Sequence, residues 1–134
     1  MTKVNGFDLS SFDGLQTAQE DGIPVEIVHP GTGELVGVTV VVAGPDSTHA
    51  KKADRALINR RLKMQKTKSL TAEELQAESL RKLAACVLSW DGMVDGGKPL
   101  ECVTENVLLA FERAPWLAEQ VAEAAGNRAA FFTN

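Results

Sequence analysis

The stretch LTAEELQAESLRKLAACVLSWDGMVDGGKPLECVTENVLLAFE, residues 70–112, decides the fold. It reads as a helix, a glycine-rich break and a second helix. Thr71 can cap the first helix, and Glu74 three residues later completes a capping box. Leu80, Leu83, Ala84, Val87, Leu88 and Trp90 recur at helical spacing and give that helix a broad apolar stripe. Asp91-Gly92 ends it, and Asp95-Gly96-Gly97-Lys98-Pro99 keeps the chain irregular. Thr104 can cap the next helix, whose apolar face is Val107, Leu108 and Phe111. The pattern builds a small helical core and carries no catalytic chemistry.

Upstream, Gly44-Pro45-Asp46-Ser47 is turn chemistry, and Asp46 or Ser47 can cap a helix over 47–68. Its apolar positions are few: Ala50, Ala53, Ala56, Leu57, Ile58, Leu62 and Met64. Lys51, Lys52, Arg55, Arg60, Arg61 and Lys63, followed by Lys66 and Lys68, make a basic face, and the thin apolar stripe is expected to lie on a hairpin or bundle. That hairpin is read over 23–44: a β-branched run at 23–29, a turn at Pro30-Gly31-Thr32-Gly33, and a second strand at 34–42. An isolated hairpin is marginal in water, so this one needs more strands, a helix, or another subunit at its edge. The need points to a homo-oligomer formed through the hairpin edge or the N-terminal arm. Residues 1–22 read as that arm, partly flexible, with Phe7, Leu9, Phe12 and Leu15 as apolar anchors.

Downstream, Pro115 suits the first turn of a last helix with Trp116, Leu117, Val121 and Ala124 or Ala125 inward and Gly126-Asn127 at its end. Phe131 and Phe132 in the tail either fold back or bind something. The expected fold is α+β: an N-terminal β-hairpin followed by a mainly helical domain of about four helices. One domain spans 23–134, with the basic helix at 47–68 and a helical unit at 71–126.

A chain of 134 residues can bury a core without disulfides, and its two cysteines, Cys86 and Cys102, make no disulfide framework. The N-terminus lacks the apolar region of a signal peptide, and the longest apolar run, residues 38–43, is too short to span a bilayer. The expectation is a soluble cytoplasmic protein with reduced thiols and no membrane contact. Net charge is −4, but it divides into −6 over residues 1–46, +7 over 47–68 and −5 over 69–134. One basic helix therefore sits inside an acidic chain.

Candidate chemistry is thin. Asp91-Gly92-Met93-Val94-Asp95-Gly96 begins like a calcium loop, but Met93 and Cys102 stand where the third and twelfth ligands belong. Gly31-Thr32-Gly33 lacks the third glycine of a dinucleotide fingerprint and precedes a strand, not a helix. His29 and His49 with Asp46 or Cys86 form no recognisable catalytic set. Trp90 and Trp116 sit at element boundaries, as core residues with a satisfied indole N–H do. No enzyme activity and no cofactor are expected. The basic face could contact phosphates, but the acidic remainder opposes nucleic acid, and an acidic protein surface is the better match.

The order of His29-Pro30, Gly31-Thr32-Gly33-Glu34, a β-branched strand, Gly44-Pro45-Asp46-Ser47 and a basic helix resembles the tail assembly chaperones of long-tailed bacteriophages. Ser89-Trp90-Asp91-Gly92, then Asp95 to Cys102, Thr104-Glu105-Asn106 and Ala114-Pro115-Trp116-Leu117, is similar to that family's helix–loop–helix. The likeness covers residues 23–126. It implies a non-enzymatic role in the host cytoplasm: binding the long, largely helical tape measure protein and assisting tail tube polymerisation around it. It also implies absence from the finished virion. Members are often made in two forms by frameshifting, and the codons for Phe131-Phe132 are a place for such a slip. Burial logic then puts the contact surface on the exposed parts of Trp90, Val94, Leu108, Phe111, Trp116 and Leu117. The alternatives are another phage structural part, such as a head–tail connector or tail completion protein, and a small nucleic-acid-binding regulator.

Overall fold

A computed structural model describes residues 6–64 and 70–132. Their architecture is α+β, built on a three-stranded antiparallel sheet of order β1-β2-β3, with β1 at Ile23–Val28, β2 at Leu35–Val42 and β3 at Val87–Asp91. Helices α1 (Asp13–Asp21), α2 (Thr48–Lys63), α3 (Ala72–Cys86), α4 (Thr104–Arg113) and α5 (Pro115–Gly126) surround it. Strands β4 (Val94–Asp95) and β5 (Lys98–Pro99) form a separate small hairpin.

The expected hairpin is present, with Val25 opposite Val40 and Ile23 opposite Val42. Alternation sends Ile27, Val40 and Val42 into a core shared with Ala84 of α3, Val107 and Phe111 of α4, and Leu117, Ala118 and Val121 of α5. His29 closes the turn: its Nδ1 accepts from the N–H groups of Gly31 and Thr32 at 3.0 and 3.2 Å.

The expected helix through Trp90 is shorter than its apolar spacing suggests. It ends at Cys86, and residues 87–91 extend as β3, pairing Val42 with Val87 and Val40 with Trp90. A short apolar run fits either period, and here the open edge of β2 offers ladder hydrogen bonds that a longer helix would leave unmade. The hairpin's need for cover is thus met within the chain. Its β1 edge is blunted too: Pro24 lacks an N–H, and the Gln120 side-chain amide donates to Val28 O at 2.9 Å and accepts from Val28 N at 3.0 Å. On its other side β2 is paired by β3 over residues 39–42.

Four further expectations change. Helix α2 stops at Lys63, with Met64 extended; Lys66 and Lys68 lie outside the described residues. Of the two supports open to it, hairpin or bundle, it takes the bundle: it packs along α3, and its Ala50 is buried with Ala43 and Cys86. Residues 95–99 pair as β4–β5 instead of staying irregular. Val103, not Thr104, is the N-cap of α4, with no side-chain cap bond. The four helices expected after the hairpin are present as α2 to α5, but the arm, read as partly flexible, carries a further helix, α1, at residues 13–21.

Helix α1 lacks an apolar stripe; a buried amide anchors it. Gln19 is 1% exposed, its Oε1 accepts from Asp46 N and its Nε2 donates to Asp46 Oδ2 at 3.1 Å. Glu20 accepts from both the hydroxyl and the N–H of Thr48, so α1 satisfies a free donor at the start of α2. Ser47 supplies the cap, accepting from Ala50 N. Thr71 and Glu74 form the expected capping box on α3, and Pro115 occupies the first turn of α5.

The tail folds back. Phe131 is buried, Phe132 meets Phe12 edge-on at 6.1 Å, and Arg128 grips Asp46 through two nitrogens at 2.5 and 2.9 Å. The bond from Arg128, reinforced by Gln19, holds the Asp46 carboxyl below its ordinary value. A carboxyl held down contributes stability above the ordinary aspartate pKa and loses it as pH falls through the depressed value. Arg128→Ala should therefore unfold at lower urea than the parent at pH 7, with the difference narrowing as the pH falls through the acid range. A difference that persists unchanged in acid would show that the pair contributes no charge-linked stability.

Candidate functional site

Loop and helix geometry make an open apolar cleft of about 330 Å³ beside the sheet. Ile27 and Val38 form its sheet side, Leu109, Ala110 and Ala114 belong to α4 and the corner after it, and Trp116 and Leu117 come from the start of α5. Met93, Val94 and Leu100, around the β4–β5 hairpin, supply the opposite wall. Two contacts fix that wall. Trp90 Nε1 donates to Leu100 O at 2.8 Å, and Arg113 holds Asp95 at 3.0 Å. The ion pair is solvent-exposed and worth little as energy, so its effect is to place the hairpin against α4.

The rim is apolar and uncovered among the described residues. Val94 is 57% exposed, and Val36 and Leu109 nearly 40%. Single exposed aliphatics are ordinary; three around one cleft form a patch of the kind that binds apolar partners.

Of the six residues expected at the contact surface, Val94, Trp116 and Leu117 line this cleft, although Leu117 is itself 4% exposed. Trp90 and Leu108 are half-buried against the core, and Trp90 acts by pinning residue 100. Phe111 is 3% exposed and belongs to the core, away from this cleft. Sequence reasoning passed over Val36 and Leu109. Leu109 carried a signal: it lies one residue, about 100° of helix, beyond the inward Leu108 and so is surplus to the apolar face.

The basic face is in water. Lys51, Lys52, Arg55, Arg60, Arg61 and Lys63 are all exposed, and among them Arg61 has an ion pair, to Glu78 at 2.7 Å. The residues weighed as a catalytic set have other duties. His29 organises the hairpin turn, His49 lies 3.8 Å from Glu20, and Asp46 holds Arg128. Burial pushes the Cys86 thiol up, away from the reactive thiolate. Among the described residues no group of three or more His, Cys, Asp or Glu could hold a metal ion, and no helix is long and apolar enough to cross a membrane.

No family model, curated protein or solved structure matches the chain.

Proposed function

We propose that this chain is a tail assembly chaperone of a long-tailed phage, covering apolar faces of the helical tape measure protein in the host cytoplasm. The observation that supports it is the open cleft with its rim of Val36, Val94 and Leu109. A helix laid there would place successive turns against Val94, Trp116 and Leu109, the helix-in-groove mode of recognition. Assistance to tail tube subunits follows from the same cover, since a tape measure kept soluble is a template on which they can polymerise.

Val94→Asp combined with Leu109→Asp should weaken binding of a tape measure helical segment about 100-fold, because both side chains would bury a carboxylate in the interface. Both sites are exposed in the free protein, so circular dichroism should be unchanged. Titration calorimetry reads the affinity, and an unaltered value would remove the cleft from the binding site. Mass spectrometry of purified virions separates the chaperone from a connector or tail completion protein: the chaperone is absent, the structural part present. The uncovered basic face favours nucleic acid as a second reading, which retardation of DNA or RNA at micromolar protein and low salt would support and its absence would remove.

A further inference from the structure

A second groove lies on the other side of the helical unit. It holds about 650 Å³ between α3 and α5, with Leu80, Leu83, Ala118 and Ala122 on its apolar lining and Glu112 and Glu119 among its polar residues. No residue lines both this groove and the cleft beside the sheet. Glu112 and Glu119 are exposed, and neither has an ion pair among the described residues. Lys82, the one cation lining the groove, is already held by Asp54 at 2.6 Å.

Helix α2 carries the matching surface. Ala50, Ala53, Leu57 and Met64 face inward, but Ile58 and Leu62 are 56% and 63% exposed. At 3.6 residues per turn, Lys51, Arg55, Ile58 and Leu62 fall within about 60° of one another on the outward side. The stripe is two cations followed by two aliphatics. Its eleven residue steps span about 16 Å, the same length as the α5 wall from Pro115 to Gly126.

We propose that the chain assembles head to tail, with the outward stripe of α2 of one copy seated in the α3–α5 groove of the next. The groove is acidic and the stripe basic, and both are supplied by one chain. The charge order sets the direction. Lys51 and Arg55 lie over Glu112 and Glu119 at the α4–α5 corner, and Ile58 and Leu62 run on toward Ala122 and Ala125, parallel to α5. Stripe and groove are different surfaces, so the contact is heterologous and yields a ring or an open row instead of a twofold dimer. It stands independently of the chaperone reading, because the cleft beside the sheet stays free.

Sedimentation velocity on the full chain tests it. The parent should show species that grow with concentration. Ile58→Asp with Leu62→Asp should be monomeric, because the stripe is lost while the groove remains. Ala122→Trp, at an exposed groove position, should also be monomeric. Mixing the two variants should give a 1:1 dimer and nothing larger, since one intact stripe meets one intact groove. If Ala122→Trp disturbs folding, Glu112→Lys with Glu119→Lys serves as the groove variant, and it should pair again with a Lys51→Glu, Arg55→Glu copy. A parent that stays monomeric to about 100 μM, an oligomer that survives both variants, or a mixture that forms no dimer overturns the proposal.

Discussion

Phe111→Ala should lower the stability of this chain by about 3–5 kcal/mol, the range for truncating a fully packed phenylalanine. Phe111 is 3% exposed and packs in one cluster with Ile27, Val40, Val107, Leu117 and Val121. It stands on α4 where that helix meets both α3 and α5, so the lost ring leaves a cavity that no single element can close. Urea denaturation reads the effect. A loss below about 1 kcal/mol would mean that the ring is not core but spare surface. The result also separates stability from recognition, because Val94 and Leu109 are exposed and their replacement should leave the unfolding midpoint in place.

Gly92→Ala should cost about 3 kcal/mol through two additive faults. Gly92 has φ +85°, where a Cβ is strained, and that Cβ would lie 2.1 Å from the Gly37 carbonyl oxygen. The oxygen belongs to the backbone of β2, so relief requires β2 and the turn after β3 to separate. Thr39 pairs with Asp91 immediately beside this point, and fraying there would loosen Trp90 and with it the wall of the cleft. Thermal unfolding should show a clear fall in Tm, with amide exchange faster at residues 89–91 than in α5. An unchanged Tm would show that the β2–β3 end carries no share of the stability.

The features legible in the sequence are those whose physics lies within a few residues. Ser47, the Thr71–Glu74 box, Pro115 and the β1–β2 hairpin each declare themselves locally. Residues 87–91 do not. Val87, Leu88 and Trp90 satisfy a helical stripe, and only pairing with a strand some 45 residues earlier makes them β3. Helix α1 escaped for a related reason, since its anchor is the polar Gln19, held by Asp46 and packed against Gly44, and hydropathy does not register a buried amide. Gly44 is fitted to that amide: a Cβ there would sit 2.4 Å from the Gln19 side chain.

The site was half legible. Val94, Trp116 and Leu117 meet because the helix–loop–helix brings the β4–β5 turn against the start of α5, a proximity that loop length and apolar spacing foreshadow. Val36 comes from the far end of β2, and its place at the same rim depends on the sheet register. Phe111 was assigned to the surface because a helical stripe does not say which of its residues lies deepest.

Co-expression of this chain with a tape measure protein of a long-tailed phage, the partner the proposal assigns to it, tests the central proposal most directly. The amount of tape measure protein in the soluble fraction, and the chains bound per molecule, are the quantities to measure. The account predicts a soluble complex with several copies of this chain on each tape measure protein, lost when Val94 and Leu109 are replaced by aspartate. A tape measure protein that is equally soluble without this chain, or that never co-purifies with it, contradicts the account.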